Sequence, residues 1–333
     1  MKKFLVQGIC FNEKIVEQTY AISSKKAIQI FMDKYPFSKD VFLYEIPRIE
    51  KMLKNINLKG SKKISSIARE QFNKDDYDRA SHESSFALHL NPDNREAWYL
   101  RTFSKYFLGK YEEVSIDATQ EIKKNPQNED AFDLRGRAMF FLRDYKKSIE
   151  DMDKSIFLNF DNGYAFYYRG FSKYFLKQYE AAIKDVNQAI LLEPSCKNPT
   201  ISFLLACSNM ELESYENAIV QLNELVQVFP EFAIEHDLYY ERSECLIKME
   251  KYEEAIQDLN YSILIKPTSY KFLERGFCKL QQKIYKEAIK DFNKAEKIND
   301  DQNLWRSLLK YKSFCSAKIK KVAFKESSIA RTL

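Results

Sequence analysis

Glycine and proline are scarce in this chain, 7 and 8 among 333 residues. An all-β sandwich or barrel needs more turn residues than that, so long helices joined by short turns are favoured. Histidine is scarcer, at 3. His82 and His89 lie seven apart on one helical face, a poor spacing for zinc, whose helical ligand pairs prefer i and i+4. No apolar run reaches the roughly 18–20 residues that span a bilayer. The stretch Met1–Cys10 is apolar only briefly, contains Gln7 and lacks a small residue before Cys10. It reads as a strand rather than a secretory leader or lipoprotein site. The six cysteines are far apart and form no C-x-x-C, which fits reduced thiols in a cytoplasmic setting. H-E-x-x-H, G-x-S-x-G and the phosphate-binding G-x-x-x-x-G-K-[ST] are all missing. No catalytic residue, metal site or cofactor is therefore assigned, and an enzyme is not expected.

What the chain does have is a folded composition, with 45% hydrophobic and 30% charged residues and a net charge of +5. It also has an internal repeat. Tyrosine recurs at 77, 111, 145, 179, 215, 252 and 285, at spacings of 34, 34, 34, 36, 37 and 33. Small residues follow at fixed offsets, as in Ala80 and Ala87, Ala182 and Ala189, Ala288 and Ala295. Pro92, Pro126, Pro194, Pro230 and Pro267 each stand fifteen residues after a repeat tyrosine. Proline lacks the amide proton and clashes with the preceding turn, so each marks the end of a unit. Phe160 and Asp300 take that place in the two units without proline.

The run Arg169-Gly170-Phe171-Ser172-Lys173-Tyr174-Phe175-Leu176-Lys177-Gln178-Tyr179-Glu180-Ala181-Ala182-Ile183, with its close at Ala189–Pro194, resembles a tetratricopeptide repeat (TPR). Ala97-Trp98 has the same character. The resemblance covers 61–302 as seven units of two antiparallel helices. It implies a mostly α chain, an α-solenoid in which each hairpin buries its apolar face only by stacking on its neighbours. Numbered from each unit's start, position 7 is arginine and position 23 aspartate in the same five units: Arg101/Asp117, Arg135/Asp151, Arg169/Asp185, Arg242/Asp258 and Arg275/Asp291. The first and fifth units lose both. This predicts an exposed ion pair between paired helices, worth about 0–1 kcal/mol. Position 11, often aromatic in the family, holds Lys105, Lys173 and Lys279, whose stems are expected to snorkel over apolar neighbours.

The two ends do not repeat. Residues 1–46 read as a small ββαβ module, with strands at Phe4–Phe11, Ile15–Ile22 and Val41–Ile46 and a helix from Ser24 to about Tyr35. Residues 47–60 read as a basic linker that can hold a helix, 303–325 as an amphipathic capping helix, and 326–333 as a frayed tail. Residues 1–60 carry a net +5, the repeats −7, and 303–333 +7.

The family resemblance implies a non-enzymatic protein-protein interaction scaffold. Its concave groove, lined by the first helix of each unit, would bind a peptide or helix of a partner protein. Positions 2, 5 and 9 then give Tyr99, Phe103, Arg137, Tyr164, Tyr167, Phe171, Phe203, Tyr240 and Tyr270 as an aromatic lining with acidic patches. Tyr99, Tyr164 and Tyr167 are the foremost candidates, while rings at positions 9 and 12 are as readily core. The chaperone carboxylate clamp of this family requires asparagine at position 9, and no unit supplies it. The competing reading is a nucleic-acid or anionic-membrane adaptor using the basic ends, chiefly Lys310 to Lys325. Without an accompanying RNA-binding motif, those lysines read as the solubilising face of the capping helix.

Overall fold

The computed structural model describes the backbone of residues 2–10, 13–21, 39–298 and 305–329, with side chains over 54–298 and 306–321. The chain is mostly helical, with sixteen α-helices among the described residues, and divides into two compact units, Met1–Pro126 and Gln127–Leu333.

The first unit begins with strands β1 (Lys2–Cys10), β2 (Glu13–Ala21) and β3 (Lys39–Glu45). They pair antiparallel in the order β2-β1-β3, with a register shift in β1 between Gln7 and Ile9. The helix expected from Ser24 lies outside the described residues. A 27-residue helix, Ile46–Phe72, runs without a break through the expected 47–60 linker and becomes the first helix of repeat one. Residues 46–60 hold no glycine before Gly60 and one proline, Pro47, at the second helical position, where its missing amide proton costs nothing. Repeat one closes with Tyr77–Leu90; repeat two is Arg95–Phe107 and Tyr111–Lys124.

The second unit holds repeats three to seven. Their helix pairs are Glu129–Phe141 with Tyr145–Leu158, Gly163–Phe175 with Tyr179–Leu192, and Pro199–Glu211 with Tyr215–Val228. Leu238–Lys248 with Tyr252–Ile265 and Ser269–Gln281 with Tyr285–Ile298 follow. The two longer tyrosine spacings have separate causes. A 3-10 turn, Pro194–Cys196, lengthens one, and a short helix, Pro230–Glu235, lengthens the other. Pro230 thus opens an inserted helix. The final helix, Trp305–Ile329, reaches beyond the expected 325 into the expected tail and buries Leu308 and Cys315 against Phe272 and Phe292.

Every turn between paired helices uses one residue in the left-handed region, two before the repeat tyrosine. These are Asp75, Gly109, Arg143, Lys177, Glu213, Glu250 and Lys283. Only one is glycine, so the chain accepts this strained conformation at six turns and needs few glycines. Four first helices start on capping side chains. Asn94, Asn162, Asn198 and Thr268 each accept a hydrogen bond from the backbone amide three residues on. The small residues are where the helix axes meet: Ala80, Ala87, Ala182, Ala189, Ala218, Ala255, Ala288 and Ala295 are fully buried.

The arginine–aspartate pairs form, but buried rather than exposed. Arg135, Arg169, Arg242 and Arg275 each grip their aspartate with two guanidinium nitrogens at 2.6–3.0 Å. The aspartate side chains are only 3–8% exposed. Burial raises the Asp151 carboxyl, against the pull of Arg135. Each arginine also lies over the aromatic ring at position 4, namely Phe132, Phe166, Tyr239 and Phe272. In three repeats a further nitrogen reaches position 25 of the preceding repeat: Asp153, Asn223 and Asn260. The arginine therefore ties hairpin to hairpin as well as helix to helix. Repeat five, with Leu205 for arginine and Gln221 for aspartate, has Ser202 in place of the ring, so the set is lost together. The position-11 lysines also carry an ion pair. Lys105, Lys173 and Lys279 bond the same aspartates at 2.7–2.9 Å, because one guanidinium leaves carboxylate lone pairs free.

Candidate functional site

The nine groove candidates fall into three environments. Tyr164 and Tyr270, both at position 2, are 43% exposed. Tyr99, Phe103, Arg137, Tyr167, Phe203 and Tyr240 are half-buried. Phe171 is buried at 8% exposure, in a cluster with Ile201, Leu204 and Val186. It belongs to the core between repeats four and five, because position 9 there faces the next hairpin. Tyr167 stacks on it at 4.6 Å, and burial pushes the Tyr167 hydroxyl up to about 12.

In the first unit, Phe103 lies between Phe72 and Phe107, at 5.7 and 4.9 Å, with Tyr99 at 5.4 Å. These rings cement repeat one to repeat two. The repeat tyrosine has a related job. Tyr77 stacks on Phe107 at 4.6 Å, and Tyr145 on Phe175 at 4.8 Å, each crossing to position 13 of the following repeat. Phe203 contacts Phe232 and His236 rather than an open surface. Arg137 is neutralised by Asp133 at 2.6 Å and sits over the Tyr164 and Tyr168 rings at 5.1 and 5.4 Å.

The face changes character in repeats six and seven. Position 6 holds buried leucine in repeats two, three and five, as Leu100, Leu134 and Leu204. The same position is Glu241 in repeat six and Glu274 in repeat seven. With Glu244 at position 9 they place three carboxylates on adjoining first helices. Burial first, then the neighbouring acids, pushes Glu241 and Glu274 up to about 7; Glu244 is raised mainly by burial. The Tyr240 hydroxyl donates to Glu244 Oε1 at 3.2 Å, and the Tyr240 and Tyr270 hydroxyls both serve Glu274. Glu274 Oε2 is sealed from solvent and has no hydrogen-bond partner. Tyr240 and Tyr270 meet edge to face at 6.2 Å. Beside them opens a cleft of about 380 Å³, lined by Tyr270, Phe277 and Tyr311 together with Glu244, Glu274 and Lys248.

Glu241 and Glu274 were absent from the groove set at positions 2, 5 and 9. Comparing the repeats column by column exposes them, as charge in a leucine column. Among the described residues no group of histidine, cysteine, aspartate and glutamate is arranged to hold a metal ion, and no helix is long and apolar enough to cross a membrane.

The sequence model of the tetratricopeptide repeat matches residues 236–269, repeat six with its acidic first helix. No curated protein matches the chain in sequence. Among solved structures, the chain is similar to YrrB, described as a TPR protein with an unusual peptide-binding site. The identity is 17% over 58% of this chain and 97% of that one, with a TM-score of 0.51. It is also similar to a tetratricopeptide repeat protein from Parabacteroides merdae ATCC 43184, at 22% identity over 77% of this chain and 99% of that one, TM-score 0.48. At 17% identity the likeness to YrrB is one of fold.

Proposed function

From the premise that this chain is a tetratricopeptide repeat protein, we propose that it is a non-enzymatic scaffold whose first-helix face binds a segment of another protein. The observation that carries this reading is the pair of tyrosines at position 2. Tyr164 and Tyr270 keep 43% of their surface in solvent, while the rings deeper on the same helices are consumed by packing between repeats. An exposed tyrosine on a rigid helix offers a large apolar face and a hydroxyl at little entropic cost, as binding hot spots require. The peptide-binding site of YrrB, on a related fold, supports the same use. The cysteines support a reducing, cytoplasmic setting, since the five with described side chains are unpaired. The basic final helix is read as a cap: Lys312 is committed to Glu296 at 2.7 Å, and Lys318 lies over Phe314.

The test uses a phage-displayed random dodecapeptide library selected on the intact chain. Peptides enriched on it are expected to lose at least tenfold in affinity for the double variant Tyr164→Ala/Tyr270→Ala, with its helical content checked by circular dichroism. Equal affinity for both proteins would remove this face as the binding site.

A further inference from the structure

We propose that the cleft between repeats six and seven is a receptor for one arginine side chain of the bound segment. This rests on the scaffold reading above and names the chemistry its C-terminal end selects.

Four observations converge there. First, the cleft is walled by rings: Tyr270, Phe277 and Tyr311 leave a space of about 380 Å³, roomy enough for a guanidinium and its alkyl stem. Second, its polar lining carries two acids, Glu244 and Glu274, against one base, Lys248, and is net anionic. Glu244 and Glu274 form no ion pair among the described residues; the nearest charge opposing them is Lys248, whose attraction does not offset their burial. Elsewhere the chain supplies its own counter-charge, as Arg137 does for Asp133 on a first helix and Arg242 for Asp258 between paired helices. Third, Glu274 Oε2 is buried with no donor, while both available tyrosine hydroxyls already face the carboxylates. Leaving a buried carboxylate oxygen without a donor is costly, so an incoming N–H group is favoured. Fourth, Glu241 and Glu274 occupy a column that is buried leucine in three other repeats. Replacing leucine by a buried acid costs stability, and packing gives no return for it.

Arginine fits these demands better than lysine. Its planar guanidinium bonds two carboxylates while stacking on aromatic faces, and it is more weakly hydrated than an ammonium. The elevated carboxyl of Glu274 then adds a consequence: binding an always-charged guanidinium expels the proton that Glu274 holds near neutral pH, so affinity rises with pH between about 6 and 8.

The same dodecapeptide library tests this. Peptides selected on the intact chain are expected to share an arginine at a fixed position. Citrulline in its place, which keeps shape and removes charge, should weaken binding at least tenfold. The Glu244→Gln/Glu274→Gln variant should lose the arginine preference while still enriching aromatic peptides through Tyr164. Since glutamine relieves buried charge, this variant is expected to fold, which circular dichroism checks, and Tyr270→Ala serves as a second probe. Selected peptides without a shared arginine, or with arginine preference unchanged in the glutamine variant, would overturn the receptor and leave the scaffold reading standing. No enrichment on any protein would overturn the scaffold reading itself.

Discussion

At the level of single residues, the repeated arginine is the most informative side chain. Its pairing with position 23 was legible because both partners vanish together from repeats one and five. Its burial was not legible, since covariation reports contact and not solvent access. The lysine at position 11 was visible, but its bond to the aspartate was not, because that partner is already the arginine's. This arrangement makes two equivalent-looking substitutions unequal. Arg242→Ala strands a buried Asp258 with Leu246 at position 11, so a loss of about 3 kcal/mol is expected. Arg169→Ala leaves Lys173 on Asp185 at 2.7 Å and should cost about half as much. Urea denaturation of the two variants measures the difference, and equal losses would refute the shared-aspartate account.

Glu274 carries the second residue-scale prediction. Its carboxyl, facing Glu244, Tyr240, Tyr270 and Lys248, is pushed up to about 7. The folded chain therefore holds a proton that the unfolded chain has released above the ordinary glutamate value near 4.3. Stability attributable to this group is fully present below about pH 4.3 and falls as pH rises through about 7. Glu241, raised by burial and by Glu244 and Asp237, acts in the same direction. Glu274→Gln should melt a few degrees above the parent at pH 8 and show a smaller advantage at pH 5. An advantage that grows toward acid would contradict the assigned cause.

Among the elements, hairpin boundaries were readable because tyrosine and proline punctuate them. The inserted helix Pro230–Glu235 was not, since a proline that ends one helix can equally open the next. The long helix through 47–60 was obscured by its basic composition, which resembles a linker although nothing in it breaks a helix. Contact between paired helices is tightest at position 8. A methyl group on Gly276 would stand 2.5 Å from Cε1 of the fully buried Phe292. On Gly136 it would meet the flexible end of Met152 at 2.7 Å. Gly276→Ala should therefore destabilise by about 2–3 kcal/mol, and Gly136→Ala by less than half of that, since alanine also favours helix. Thermal melts of the two variants check the order, and the reverse order would show that ring rigidity does not set the cost.

For the whole chain, periodicity fixed the fold class and the number of hairpins, because a stacked repeat writes the same contacts many times. The binding face was less legible for the same reason. Rings at positions 5, 9 and 12 serve stacking as readily as recognition, and Phe103, Phe171 and Phe203 went to stacking. What separates recognition from core is departure from the repeat: exposed tyrosine at position 2 and glutamate in a leucine column. The opposing possibility is the surface formed by the second helices, where Phe157, Leu191 and Leu264 are 73–81% exposed. Photo-crosslinking distinguishes the two faces most directly. A library-selected peptide carrying one benzophenone is irradiated with the intact chain, and the adducts are mapped by mass spectrometry. Adducts are predicted within Gly163–Phe175, Leu238–Lys248 and Ser269–Gln281, on and around Tyr164 and Tyr270; adducts confined to the second helices, at Phe157, Leu191 or Leu264, would contradict the account.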